Sequence, residues 1–164
     1  MLRIALSLFA LLWASISFSA EVSSSAVLKY AEVHGGRAAL EKYFSCEGTG
    51  FNGYLKVASG SKQWLDVAVR LLASSDACYS EGLHDAVAKA LYASPSTVLP
   101  LVDSSSMLKA SQICLPFLSD EEPHKQHLAY LKRLEERLSR VTDRASQSGK
   151  AKCIGEIHAM RKML

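Results

Sequence analysis

Two histidine-containing pairs have the residue types and the spacing that a metal site could use. His124 and His127 stand three residues apart, so on one helix they would share a face and supply two ligands. Glu81 and His84 have the spacing of the carboxylate–histidine motif of helical-bundle metal sites, which use two such motifs and two further glutamates. The Glu81–His84 pair by itself supplies two of those ligands, and neither pair has an identifiable third or fourth ligand. The simpler interpretation places both pairs near helix N-termini, so we expect no metal, no cofactor and no assigned catalytic residue.

The four cysteines favour structural disulfides over metal binding or nucleophilic chemistry. Cys46, Cys78, Cys114 and Cys153 are widely spaced and contain no C-x-x-C motif, which argues against a metal site. Three connectivities are possible. We favour Cys46–Cys78 with Cys114–Cys153, because each bond then joins neighbouring helices over a loop of about 30–40 residues and would contribute about 3–4 kcal/mol.

The first twenty residues predict export. A basic start, an apolar run over residues 4–13 and a stretch of small residues follow the order of a secretory signal peptide. The apolar run is about ten residues long, whereas a membrane-spanning helix needs about twenty. Cleavage after Ser19 would leave a signal peptide of residues 1–19 and one helical domain of residues 20–164. We therefore expect a periplasmic or secreted protein with no stable membrane insertion after cleavage, in a compartment that permits disulfides.

The charge of the mature chain is small but unevenly distributed. Without Arg3, the chain has 18 basic and 16 acidic residues, and that balance does not favour nucleic-acid binding. Residues 121–164 carry ten basic and six acidic residues. A bias of this kind indicates either a solvated helix face or a docking surface for an acidic partner.

Apolar periodicity predicts helices along most of the mature chain and almost no strands. The clearest helix covers residues 80–93, and its apolar residues form one unbroken stripe: Leu83, Ala86, Val87, Ala90 and Leu91. A short helix before it is indicated by four residues at helical spacing: Phe51, Tyr54, Leu55 and Ala58. Near the C-terminus, leucines at spacings of three and four predict a helix packed along a narrow seam: Leu128, Leu131, Leu134 and Leu138.

The favoured disulfide between Cys114 and Cys153 requires the chain to reverse direction between them. A single helix from His124 to Cys153 would be about 45 Å long, whereas the link from Cys114 to Pro123 spans at most about 30 Å. We predict the reversal at Thr142-Asp143, which can cap a final helix. The predicted fold is all-α, with five to seven short helices in consecutive hairpins that form an irregular bundle or a small helical stack, stapled by disulfides.

Several short motifs resemble those of a family of small exported proteobacterial proteins. They are SGSKQWL at 59–65, SDA at 75–77, SEGL at 80–83, VL at 98–99, IC at 113–114, PF at 116–117, EP at 122–123 and the late Cys153. The resemblance would cover most of the mature chain. It implies a helical periplasmic protein of uncharacterised function and carries over no functional residues.

The sequence favours a binding function over catalysis. It contains no G-x-S-x-G or phosphate-binding glycine motif. The first hypothesis is a periplasmic protein-interaction module whose partner is another exported protein, in its specific form an immunity or inhibitor protein. One alternative is a small metal-dependent hydrolase that uses His124, His127 or the Glu81–His84 pair. Another is a carrier that holds an apolar ligand between its helices.

Overall fold

The computed structural model describes residues 22–46, 52–115 and 124–164. These residues form nine α-helices and two 3-10 turns, and they contain no strand beyond one isolated bridge between Phe44 and Asn52. The α-helices are α1 Ser24–His34, α2 Gly36–Tyr43, α3 Gly53–Ala58, α4 Lys62–Leu72, α5 Ala77–Ala93, α6 Pro95–Val98, α7 Ala110–Ile113, α8 His124–Ser139 and α9 Gln147–Met163.

The all-α class is confirmed. The helices outnumber the predicted five to seven because the chain between α5 and α8 contains two single turns, α6 and α7, of four residues each. The predicted signal peptide (residues 1–19), Phe51 and the PF and EP motifs lie outside the described residues. No helix within the described ranges has the length and apolar character needed to cross a membrane.

Local signals explain where the first helices begin and end. The Ser23 side chain accepts a hydrogen bond from the Ala26 amide and caps α1, and Ser61 caps α4 through the Trp64 amide. Gly35 has a φ of 88°, which ends α1 and turns the chain into α2. Two adjacent glycines, Gly35 and Gly36, predict such an interruption from sequence, because each disfavours a helix by about 1 kcal/mol, and the structure confirms it.

The core is one cluster of buried apolar side chains with α5 at its centre. All five residues of the predicted stripe on α5 are buried. Helices α3, α4, α6 and α7 pack on α5, while α1 and α2 pack on α4. The short helix α3 corrects one prediction: Leu55 is 70% exposed and Val57 is buried in its place. Helix α3 spans six residues, and it presents Tyr54 and Val57 to the core.

Both favoured disulfides are present, and every cysteine is paired. Cys46–Cys78 joins the chain after α2 to the start of α5, with both cysteines exposed. Cys114–Cys153 joins the end of α7 to α9, and both of its cysteines are fully buried. The second disulfide therefore holds the C-terminal helix against the core from inside.

The predicted reversal lies between α8 and α9, so the last two helices form a hairpin. The Asp143 carboxylate accepts a hydrogen bond from the Ser146 amide at 2.9 Å and starts the 3-10 turn that leads into α9. The Lys150 ammonium donates to the carbonyls of Ser139 and Val141, both at 2.9 Å. These bonds satisfy carbonyls that the end of α8 leaves without intrahelical partners.

Helix α8 docks on the end of α5 through an aromatic and cationic contact. The rings of Tyr92 and Tyr130 stack with their centroids 5.5 Å apart. The Arg137 guanidinium lies 4.7 Å from the centre of the Tyr92 ring and donates a hydrogen bond to the Ala93 carbonyl. This contact and the three buried leucines lie on one side of α8. The other side of α8 borders α9 and is exposed to solvent.

Candidate functional site

Of the predicted Glu81–His84 pair, His84 serves to hold the fold together. His84 Nε2 donates a hydrogen bond to the Met107 carbonyl at 2.7 Å, and since a carbonyl can only accept, Nε2 carries the proton. Ser80 Oγ lies 3.4 Å from the other ring nitrogen. Helix α5 begins at Ala77, so Glu81 lies in its second turn and not at the N-terminus that the sequence predicts. His84 thus ties α5 to the segment before α7.

The second predicted pair lies in the first turn of α8. The ring centroids of His124 and His127 are 6.5 Å apart, with His124 exposed and His127 buried at 5% exposure. Among the described residues, no group of three His, Cys, Asp or Glu side chains is placed to hold a metal ion. Neither histidine pair therefore forms a candidate metal centre with other described residues.

A groove along α8 and α9 is the candidate binding site. It has a volume of about 530 Å³ and is open to solvent. We call it the α8–α9 groove and define it by its lining residues: Leu128, Lys132, Glu135, Glu136, Ser139 and Arg161. Four of them, Leu128, Lys132, Glu135 and Ser139, repeat along α8 at spacings of four, three and four, so they form one straight stripe on the helix surface.

Leu128 is the apolar residue of this groove, and it corrects the predicted leucine seam. Leu131, Leu134 and Leu138 are fully buried, as the seam predicts, but Leu128 is 41% exposed. Arg161 of α9 lies opposite Glu135, and Leu128 lies seven residues, about 10 Å, nearer the start of α8. Helix α9 ends two residues after Arg161, so its last turn does not cover Leu128.

Glu135 joins the two helices at the centre of the groove. Its carboxylate accepts one hydrogen bond from His158 Nε2 at 2.8 Å and another from the Arg161 guanidinium. The His158 hydrogen bond, aided by that of Arg161, lowers the pKa of the Glu135 carboxyl below its ordinary value. The carboxylate therefore remains ionised and holds the Arg161 side chain in the groove.

Because the Glu135 carboxylate makes these contacts when it is ionised, we expect the protein to lose stability in acid. Because the folded-state pKa of Glu135 is lowered, its contribution is present above the ordinary pKa of about 4.5 and is lost as the pH falls through the lower folded-state value. We expect the free energy of unfolding to decrease more between pH 5 and pH 3 in the wild type than in Glu135→Gln. Chemical denaturation over this range measures it. Glu136→Gln, one residue away, is the matched control, and equal pH profiles for wild type and Glu135→Gln would contradict the assignment.

The α8–α9 hairpin carries most of the positive charge of the described chain. Residues 124–164 include ten Lys and Arg and four Asp and Glu, a formal net charge of +6. The described residues before them include eight basic and seven acidic residues, a net charge of +1. Lys125 and Lys132 flank Leu128 one turn away on either side, are exposed, and form no ion pair with a described residue. The exposed leucine therefore lies between two accessible cations.

A second hollow lies beside α7, and the Asp103 carboxylate in its lining is already engaged in the fold. Its lining includes Asp103, Lys109 and Glu156, with three serines. One Asp103 oxygen accepts a hydrogen bond from the Ala110 amide at 2.9 Å, and the other pairs with Lys152 at 2.6 Å. The Lys152 ammonium and the Ala110 amide lower the pKa of Asp103. Asp103 thus starts α7 and ties it to α9.

Sequence reasoning missed the individual residues of the groove. The basic bias of residues 121–164 pointed to the hairpin, but no motif distinguishes Lys132, Glu135 or Arg161 from other charged helix residues.

Comparisons with protein-family models, with curated proteins and with solved structures return no match to this chain.

Proposed function

We propose that this protein is an exported protein-interaction module that binds another exported protein through the α8–α9 groove. The observation that carries the proposal is the exposed Leu128 between two accessible lysines on a hairpin of net charge +6. An apolar anchor surrounded by polar and charged residues is the usual anatomy of a protein interface. The charge favours a partner with an acidic surface, because complementary charge raises the association rate and disfavours other partners.

The groove suits a protein partner better than a membrane or a nucleic acid. A helix that lies on a membrane needs a broad apolar face, whereas three of the four leucines in the α8 seam are buried and Leu128 alone is exposed. Two carboxylates, Glu135 and Glu136, line the groove and would repel phosphate groups. A protein surface can complement both signs of charge.

The Cys114–Cys153 disulfide and the hairpin contacts support binding by making the groove rigid. Cys114–Cys153 fixes α9 on α7, the Lys150 bonds fix the turn, and Glu135 fixes the two helices side by side. A surface that is already ordered loses less conformational entropy when a partner binds. The immunity or inhibitor hypothesis is a specific form of this proposal, in which the bound partner is an exported enzyme or toxin.

Affinity capture with a matched pair of variants tests the proposal. The oxidised, mature protein is used as bait in an extract of the compartment to which it is exported. Leu128→Asp places a carboxylate in the groove, and Leu55→Asp makes the same change at an exposed leucine on α3. We expect one stoichiometric partner to be captured by the wild type and by Leu55→Asp, and to be lost with Leu128→Asp.

The outcomes of the capture separate the possibilities. Loss of the partner with Leu55→Asp and retention with Leu128→Asp would place binding on another face and overturn the proposed groove. Capture of nothing by the oxidised wild type would overturn the interaction module itself. If a partner is captured, an assay of its activity with and without this chain decides whether the chain is an inhibitor.

A further inference from the structure

We infer that the element of the partner that occupies the α8–α9 groove is an amphipathic helix with acidic residues on either side of an apolar side chain. This inference rests on the proposed function and names the chemistry of the partner at that same site. It follows from the length of the groove, from the spacing of its residues and from the position of its charges. Each of these is a property of α8 and α9.

The shape of the groove fits a helix. The stripe from Leu128 to Ser139 covers twelve residues, a rise of about 16 Å or three helical turns. Near Glu135 the stripe lies beside Arg161 of α9, so an added helix would contact both members of the hairpin there and α8 alone at Leu128. Side chains at spacings of four and three form the ridges into which a second helix packs its own side chains. A helix in a groove is a recurring mode of recognition, with contacts at i, i+3, i+4 and i+7.

The positions of the charges define the composition of that helix. Lys125 and Lys132 are seven residues apart, and Leu128 lies between them on the same side of α8. Consider a partner helix that places a leucine-like side chain on Leu128. The partner residues one turn before and one turn after that side chain would then lie next to the two lysines. Carboxylates at those two positions would pair with both cations. The Glu135 carboxylate is already paired with Arg161 and His158. It therefore neutralises the positive charge of the two lysines less than an unpaired carboxylate would.

A titration with designed peptides tests the inference, because the natural partner is unidentified. The first peptide, of about 20 residues so that it can be helical, carries Leu at i, i+4 and i+7 with Glu on both flanks. The second has Lys in place of every Glu. The third has the composition of the first in an order without helical periodicity. Each is added to the full mature, oxidised protein labelled with ¹⁵N, and amide chemical shifts are followed to millimolar peptide.

We expect the periodic acidic peptide to shift the amide signals of Leu128, Lys132 and Ser139 and to leave those of α1 and α2 unchanged. Lys132→Glu should weaken its binding about three- to tenfold, as expected for reversal of one exposed charge. Lys29→Glu, at an exposed lysine in the middle of α1, is the matched control and should have no effect. The basic peptide should not bind.

Three results would overturn the inference, and the first two of them would leave the proposed function intact. No shift in the groove with the periodic acidic peptide would exclude an acidic helix as its occupant. Equal shifts with the aperiodic peptide would show that charge alone attracts acidic peptides to the groove, and that a helical arrangement of the leucines is not required. Stronger binding of the protein to vesicles of anionic lipid than to the periodic peptide, through the same residues, would assign the surface to a membrane instead. The capture experiment with Leu128→Asp is independent of these peptides, so the two proposals can fail separately.

Discussion

Replacement of both Cys114 and Cys153 by alanine is expected to lower the free energy of unfolding by about 4–5 kcal/mol. The disulfide closes a loop between residues 39 apart in sequence, and loss of such a constraint costs about 4 kcal/mol in chain entropy. Both cysteines are fully buried, so the missing sulfur atoms also leave a void in the core. A total of this size is a large part of the stability of a typical domain, about 5–15 kcal/mol.

The matched control is the double alanine variant of Cys46 and Cys78. Its loop is of similar length, with a sequence separation of 32, but both cysteines are exposed and no buried void results. We expect this variant to lose about 3–4 kcal/mol, less than the buried pair. Urea denaturation of both variants and the wild type under oxidising conditions measures the difference. A smaller loss for the buried pair than for the exposed pair would contradict the role assigned to Cys114–Cys153.

Gly149→Ala is expected to be the most damaging single methyl addition in α9, with a loss of about 3 kcal/mol. A Cβ atom at residue 149 would overlap the carbonyl oxygen of Leu99 and lie 3.1 Å from the Val102 Cβ. The obstacle is backbone, which cannot rotate away as a flexible side chain would, so α9 would have to move off the 3-10 turn that contains Leu99. Overpacking of this kind costs about 1–3 kcal/mol and occasionally more.

The same substitution at Gly155 in the same helix is the control. A Cβ atom there meets nothing within 4 Å, and alanine is favoured over glycine in a helix interior by about 1 kcal/mol. Gly155→Ala should therefore stabilise the protein by up to about 1 kcal/mol, so the two variants should shift the thermal midpoint in opposite directions. Similar effects of the two substitutions would mean that α9 does not approach the Leu99 turn as closely as described.

Strong local patterns were sufficient to predict much of the fold. The stripe of five apolar residues on α5, the glycine break after α1 and the turn before α9 depend on residues close together in sequence, so periodicity and capping identify them. The Cys114–Cys153 pairing was favoured among three possible connectivities because it joins neighbouring helices, and the reversal before α9 followed from that pairing and the reach of the chain. The predictions that were wrong concern residues whose burial depends on the packing of neighbouring elements. Leu55 fits a helical stripe but lies on the outer side of α3, and Leu128 fits the seam but lies beyond the last turn of α9.

The candidate site was less predictable than the fold for the same physical reason. Lys132, Glu135 and Arg161 acquire their roles from the side-by-side packing of two helices, and that packing leaves no motif in either helix alone. His84 shows that a residue with suitable type and spacing can also turn out to have a structural role. His84 has the spacing of a metal ligand, but the segment before α7 supplies a carbonyl that engages its ring instead. Residue type and spacing identify candidates, and the neighbouring elements decide which of them are available.

The most direct test of the account is site-specific photo-cross-linking in cells that produce the protein. A benzophenone amino acid replaces Leu128 in one variant and Leu55 in the other, and both positions are exposed, on different faces of the molecule. We expect a cross-linked product of one defined mass from residue 128, which contains this chain and one other exported protein, and none from residue 55. The same product from both positions, or a product from residue 55 alone, would contradict the claim that the α8–α9 groove is the binding face.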